Sequence, residues 1–547
     1  MTAFWQKFSG SPYAPALFAG IVCFALYLAG SLTRPILPID ETRYLTVAWE
    51  MFSHHEWILP TLNGDSYHHK PPLLFWLIMS VWSLFGVSQG AAMVVPYLIG
   101  FAVITLSARL AGRLAPDRPD LPLLTALVTA GSLPFVIYSH LIMFDLLLTV
   151  FVLVGVTATL DYARTGDKKH LALFALAIGG GVLAKGPVIL LHLLPLALLV
   201  RFWKSPNFRP SAKEWTAGVF AAVLGGAIIA LAWAVPAAIK GGQEFADKIF
   251  WGQTAGRMVK SFDHQHPTWW YLMFAPLFFL PWAFSPAVWG GLRALKGSEA
   301  LKILGCWMIP VFAGFSLISG KQVHYLLPLL PALSVGMALA LDRARQQNKN
   351  WNFHAPFAFA LLLALIPVLL SAFAQQIESI FPKSPHIGDA FGNMNPLWPI
   401  MTSAIVAVSW VAAGRLPHML RGMLLSLSMI LMIVSFLNVA RTSFFANYDL
   451  MPIAAVLEKN PEAPLAFVRN YHGEFGFLAR LDRTVKQLGP QQLTVWLNEN
   501  PDGIALIRTR KESEYTPYDV LFTQPYKMTN TYAVVVKKGE KHNFVTE

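Results

Sequence analysis

Runs of about twenty apolar residues recur from Tyr13 to Ala440, and no other feature constrains the fold of this chain as strongly. A bilayer's hydrocarbon core is about 30 Å thick and takes about 20 helical residues to cross. No water is available there for backbone N–H and C=O groups, so segments of this kind satisfy them internally, as helices. The chain reads as an all-α polytopic membrane protein through residue 440.

Composition agrees. Hydrophobic residues make up 55% and charged residues 13% of the chain, against roughly 25% charged in soluble domains, which excludes a water-soluble reading of the whole. The net charge of +12 fits membrane topology and anionic head groups better than nucleic acid. Cys23 and Cys306 lie inside apolar runs and read as packed thiols, not a disulfide framework. Tyr13–Leu32 is full length and lacks a small-residue cleavage site, so it reads as a first helix, not a removable signal.

Fourteen runs have spanning potential: 13–32, 72–86, 89–108, 121–138, 146–163, 170–184, 187–203, 216–239, 269–290, 301–318, 325–341, 356–374, 397–413 and 422–440. With the N-terminus in the cytoplasm, the basic loops at Arg109/Arg113/Arg118, Arg164/Lys168/Lys169, Arg201/Lys204/Arg209/Lys213, Arg293/Lys296, Arg343/Arg345/Lys349 and Arg415/Arg421 all face inward only if residues 34–108 cross once. Pro71–Gly86 is short and opens with two prolines, so it is assigned to the outer interface. About thirteen spans remain, with external loops at 34–88 and 240–268. The division is then a transmembrane part, 1–440, and an external soluble part, 441–547. In the latter, Pro464–Val468, Gly503–Ile507, Val520–Thr523 and Tyr532–Val536 read as strands, and Ile453–Lys459 and Phe475–Ala479 as helical, which predicts a small α/β domain.

External basic residues run against the positive-inside trend, and anion binding is the simplest reason for them. Residues Asp40 to His55 carry Leu45, Ala48, Trp49 and Phe52 at helical spacing, an amphipathic interfacial helix. Asp40 and Glu41 stand at its start, where a carboxylate either caps the helix or serves a nucleophile. Asp145 opens a later span with the same two readings. Lys70 either snorkels to water or binds phosphate. Lys185 interrupts two apolar runs behind three glycines, and an ionisable group at that depth is a functional candidate by default. Arg257 is suited to bidentate phosphate contacts, and Arg43, Tyr67, His324 and Tyr325 lie beside these positions. His264, His266 and His55 are candidate ligands for a divalent metal, with solvated loop histidines as the alternative. There is no nucleotide-cradling glycine loop, so an activated donor outside the cytoplasm must be lipid-borne.

Asp40-Glu41-Thr42-Arg43-Tyr44, Glu50-Met51, Trp57-Ile58-Leu59-Pro60 and Lys70-Pro71 together resemble the first external loop of the lipid A 4-amino-4-deoxy-L-arabinose transferases, which belong with the protein O-mannosyltransferases among the C-type glycosyltransferases. The resemblance continues through Met143-Phe144-Asp145, Lys185-Gly186, Arg257 and His266-Pro267 to Trp270-Tyr271. It implies transfer of aminoarabinose from undecaprenyl phosphate to a lipid A phosphate, with inversion, at the periplasmic face of a bacterial inner membrane, and polymyxin resistance as the outcome. It ties Asp40 to catalysis and gives Ile39, His68 and His69 no role. Other polyprenyl-phosphate-sugar transferases share much of the pattern, so transfer of a mannose-like sugar to protein or glycan is the alternative. A transporter is a further one, although no internal repeat is visible and the charges concentrate outside the membrane.

Overall fold

The structure, a computed structural model, describes residues 8–251, 265–347, 351–381, 387–539 and 544. From the N-terminus it builds α1 (Ala14–Thr33), α2 (Asp40–Ser53), a hairpin of β1 (Thr61–Leu62) and β2 (Asp65–Ser66), α3 (Leu73–Phe85) and α4 (Gln89–Leu114). Then come α5 (Leu121–Ala130), α6 (Leu133–Tyr138), α7 (Phe144–Thr165), α8 (Lys169–Lys185), α9 (Val188–Leu198) and α10 (Ala212–Asp247). The helical part closes with α11 (Glu299–Leu317), α12 (Leu330–Gln346), α13 (His354–Ala372), α14 (Leu397–Ala413) and α15 (His418–Ala440).

Among the described residues, eight helices are long and apolar enough to cross a bilayer, and all eight fall in expected spans. The other expected spans are shorter or broken helices. Run 121–138 divides into α5 and α6 at Gly131-Ser132, run 187–203 into α9 and a terminal turn, and run 269–290 into short helical pieces around Pro281. One expectation about a loop changes. α10 continues through Lys240 to Asp247 across a kink at Gly242 (φ 77°), so the first part of loop 240–268 is helical. Pro71–Gly86 forms α3, whose Trp76 indole donates to Trp57 O and whose Trp82 stacks on Phe477 at 5.1 Å. Gly86 (φ 80°) ends α3 and the Ser88 hydroxyl caps α4, which breaks the run.

Lipid exposure and close packing explain the helical part. On α10, Phe220, Leu224, Ile228, Leu231, Val235 and Ile239 form an exposed apolar face, which suits lipid and not water. On α8, a Cβ at Gly179, Gly180 or Gly181 would meet Ile229, Phe151 or Ile189 at 2.2–2.5 Å. These three glycines let α10, α7 and α9 close around α8, which fixes the end that carries Lys185.

Ion pairs tie the basic loops to one another at the opposite end. Arg113 meets Asp161 at 2.6 Å, Arg118 meets Asp342 at 2.8 Å, Arg345 meets Asp120 at 3.0 Å and Arg164 meets Glu299 at 3.7 Å. Asp145 and Asp161 sit in the first and last turns of α7, so this basic end and the end bearing Asp145 are about 24 Å apart along it.

After α15 come α16 (Met451–Glu458), β3 (Leu465–Val468), β4 (Val485–Leu488), α17 (Leu493–Glu499), β5 (Ile504–Thr509), β6 (Asp519–Tyr526) and β7 (Asn530–Val536). The sheet order is β4-β3-β5-β7-β6, with β3 parallel to β4 and β5 and with β7 antiparallel to β5 and β6. β4 escaped the sequence reading because Val-Lys-Gln-Leu has too few apolar residues. The helix expected at Phe475–Ala479 is a set of turns, because Phe475, Phe477 and Leu478 are buried by long-range packing and not by a helical face. Alternate strand residues face two cores. Ala466, Val468, Ala505 and Ile507 pack with Leu493 and Leu497 of α17. Leu465, Phe467, Ile504, Leu506, Val534 and Val536 join the core that continues into the helical part. That apolar continuity fixes the sheet over α2.

Candidate active site

Glu41 organises the site without facing it. Its carboxylate pairs with Arg34 at 2.6 Å, both side chains being buried, and accepts from the backbone N–H groups of Leu37 at 2.8 Å and Ile142 at 2.7 Å. Arg34 also donates to His140 O. One carboxylate thus ties the end of α1, the start of α2 and the turn before α7 into a unit. It is also the reason Asp40, its neighbour, projects the other way. The Asp40 side chain is 61% exposed, makes no capping hydrogen bond and has Arg43 at 3.9 Å. Ile39 is the N-cap, so the capping reading of Asp40 is not met.

Asp145 does not cap α7 either. It is buried and pairs with the Lys185 ammonium at the end of α8, with His324 Nε2 at 3.9 Å. The same ammonium lies 4.4 Å from the Tyr325 ring centroid, a cation–π contact. Lys70 stands over Phe144 at 5.8 Å and interacts electrostatically with Asp145 and His324. Tyr67 packs edge-on against Phe75 at 6.2 Å and His69 at 5.4 Å. The sequence reading missed Tyr44, which bridges the two halves. Its ring meets Phe144 at 4.9 Å, and burial, then the charge of Asp40, pushes its phenol well above the usual tyrosine range. Asp40, Arg43, Tyr67, Lys70, Asp145, Lys185, His324 and Tyr325 therefore gather at one end of the helices, on and around α2.

Several candidates fall elsewhere. Arg257 and His264 lie outside the described residues. His266 stacks on Trp270 at 4.4 Å, and His55 is an exposed residue just past the end of α2. Among the described residues no three His, Cys, Asp or Glu side chains converge to hold a metal. Lys321, three residues before His324, is buried and spends its donors on His266 O at 2.9 Å and on Ile318 O. It anchors the strand-like contact of Gln265 with Gly320.

The C-terminal sheet roofs this end. The Thr46 hydroxyl of α2 donates to Gly473 O at 2.8 Å and accepts from Phe477 N at 3.0 Å, and the Trp49 indole donates to Leu481 O at 2.9 Å. The Asn63 side chain bonds both backbone groups of Val485, covering edge strand β4. Through this roof further charges reach Asp40. Arg508 pairs with buried Glu474 at 3.4 Å. Burial raises the Glu474 carboxyl, opposed by the His472 backbone N–H, Arg508 and Arg43. Lys527, in the β6–β7 turn, interacts with Arg508, Asp40 and Glu474, and burial lowers its ammonium pKa. No sequence signal marked these residues, because the site residues they face, Asp40 and Arg43, lie more than 400 positions away.

The chain is similar to several known proteins. A family profile described as dolichyl-phosphate-mannose-protein mannosyltransferase matches residues 69–236. The undecaprenyl phosphate-alpha-4-amino-4-deoxy-L-arabinose arabinosyl transferase 1 of Pseudomonas fluorescens Pf0-1 is 26% identical over 74% of this chain and 68% of its own length. Its counterpart in P. fluorescens Pf-5 is 27% identical over 90% of this chain and 85% of its own. The crystal structure of ArnT from Cupriavidus metallidurans bound to undecaprenyl phosphate superposes with a TM-score of 0.77, at 20% identity, over 95% of this chain and 97% of that one. The fold is thus the ArnT fold, a polytopic helical part with a small C-terminal sheet. Over most of its length the chain is also similar in sequence to the undecaprenyl phosphate-aminoarabinose transferases.

Proposed function

We propose that this protein transfers 4-amino-4-deoxy-L-arabinose from undecaprenyl phosphate to a phosphate of lipid A, at the periplasmic face of a bacterial inner membrane, and thereby confers polymyxin resistance. The observation that carries the reading is an exposed carboxylate, Asp40, with Arg43 beside it on α2, at the end of the helices that also bears Lys70 and the Asp145-held Lys185. A lipid-phosphate donor and a phosphate acceptor require that combination of charges.

An acceptor phosphate oxygen attacks the anomeric carbon from the face opposite the donor phosphate. The bond from that carbon to the carrier's phosphate oxygen breaks, and its electron pair leaves with undecaprenyl phosphate, inverting the centre. Negative charge grows on the departing phosphate, and preorganised cations in a water-poor site stabilise it. Lys70 and Lys185 take that part, with Asp145 and the Tyr325 ring holding the Lys185 ammonium in place. The acceptor phosphate, with a second pKa of about 6 by analogy with phosphoserine, is already largely anionic. Asp40 orients it and takes any remaining proton, and Arg43 offsets the repulsion between the two anions.

The test uses purified full-length protein, lipid-linked aminoarabinose and lipid A, with the product weighed. A mass increase of one aminoarabinose on lipid A is expected, and Asp40→Asn is expected to lower turnover by at least about 100-fold with an unchanged melting temperature. Transfer to a peptide or glycan in place of lipid A, or wild-type turnover in Asp40→Asn, refutes the reading.

A further inference from the structure

The roof carries a site of its own. From β3 the chain turns to β4 on one side, while from β5 it leaves toward β6 and β7 on the other. In open α/β sheets a crevice opens at the carboxyl ends of strands where successive connections diverge, and ligands bind in it. Here that crevice is a cavity of about 520 Å³ whose walls include Arg469, Arg508, Arg510 and Lys511 against a single acid, Glu514. Arg469 directly follows β3, and Arg510 and Lys511 directly follow β5.

Three features mark the crevice as an anion site and not a solvated charge run. Arg510 and Lys511 have no acidic partner within 4 Å among the described residues, so the four cations outnumber their counter-charges. Arg469 adopts φ 81°, a conformation that side-chain-bearing residues rarely take and that concentrates at functional positions. Its N–H donates to Leu488 O at 2.8 Å, which holds it there. Finally, the crevice is joined to the active site by one polar track. Arg508 lines it and pairs with buried Glu474, Glu474 accepts from His472 N at 2.7 Å, and Arg43, which interacts with Glu474, stands 3.9 Å from Asp40.

We propose that the crevice binds a second oxyanion of the acceptor head group, a phosphate or carboxylate other than the phosphate that receives the sugar. The proposal rests on the reading that the acceptor is a phosphorylated glycolipid. Glu474 and the Arg43 side chain stand between Asp40 and the crevice, so one phosphate does not serve both. Two anions on one acceptor do, and their spacing sets which acceptor phosphate meets Asp40. Guanidinium groups give such contacts bidentate geometry.

The experiment measures binding of three probe lipids to the full-length protein in detergent: bisphosphorylated lipid A, monophosphorylated lipid A, and monophosphorylated lipid A bearing a carboxylate sugar. The parent is expected to bind one or both of the doubly anionic lipids about tenfold more tightly than the singly anionic one, as one charge-assisted contact gives. Which of the two gains affinity identifies phosphate or carboxylate as the ligand. Arg510→Ala/Lys511→Ala is expected to abolish the difference while leaving binding of the singly anionic lipid and the melting temperature unchanged. Equal affinity of the parent for all three lipids, or a difference that survives in the variant, overturns the proposal. Sugar transfer to the monophosphorylated lipid, followed in parallel, reports the catalytic reading separately. A parent that transfers no aminoarabinose refutes that reading, and the binding difference still decides the crevice.

Discussion

Glu41 and Asp40 are adjacent carboxylates whose surroundings give them opposite duties. Glu41 spends its oxygens on four donors, two from the Arg34 guanidinium and two from backbone, and neither Arg34 nor Glu41 meets solvent to any extent. Breaking a buried ion pair from one side leaves the other charge uncompensated and costs about 3–5 kcal/mol. Glu41→Gln is therefore expected to lower the unfolding free energy by that amount in detergent, with the KM of the surviving protein for donor unchanged. A stable Glu41→Gln protein with a weakened donor KM would make Glu41 a binding residue instead. Sequence alone marked both carboxylates but could not separate them, because the donors that claim Glu41 include Ile142, about a hundred residues away. Lys185 and Asp145 were legible for a simpler reason: a charge inside or beside an apolar run needs a partner, and each is the other's.

At the level of elements, α2 is the hinge of the molecule. Its periodicity was readable in Leu45, Ala48, Trp49 and Phe52, and the helix forms as expected. It is more buried than a helix lying at a membrane surface, since Thr42, Thr46 and Val47 are covered as well. The cover is the turn segment after β3, which was misread as helical because its burial pattern comes from contacts with α2 and α3 and not from its own geometry. Two glycines make the approach possible. A Cβ on Gly476 would stand 2.3 Å from Thr46 Cγ2, and one on Gly473, at φ 82°, 2.7 Å from Leu62 Cδ1. Gly476→Ala must therefore push the sheet off α2 and break the two hydrogen bonds of Thr46, together worth about 1–3 kcal/mol. A lower melting temperature and reduced turnover are expected, with partial recovery in Gly476→Ala/Thr46→Ser, which removes Cγ2 and keeps the hydroxyl. A Gly476→Ala protein as active and stable as the parent would show that the roof is not held at this point.

Across the whole molecule, the ends of the helices sort by charge. One end gathers Arg113, Arg118, Arg164 and Arg345 with acids from neighbouring loops, and the other gathers Asp40, Lys70, Asp145 and Lys185 beneath the C-terminal sheet. The four arginines and the four site residues thus lie at opposite ends, although several expected spans are broken, because sidedness depends on where chain segments emerge and not on how regular each helix is. Lys and Arg favour the cytoplasmic side, so the Asp40 end is expected to face outward. The chain has two cysteines, Cys23 and Cys306, so a cysteine-free background needs only Cys23→Ala and Cys306→Ala. On it, Ser53→Cys beside the site, Glu499→Cys on the sheet and Lys168→Cys at the basic end each replace an exposed residue. In intact spheroplasts a membrane-impermeant maleimide is expected to label the first two, and to label Lys168→Cys only after permeabilisation. The reverse pattern would turn the protein over, bringing Asp40 to a compartment without the lipid A head groups that the proposed reaction needs. Labelling of Ser53→Cys and Lys168→Cys from the same side would contradict the helical arrangement itself, since α7 and α8 hold those two ends a membrane's thickness apart.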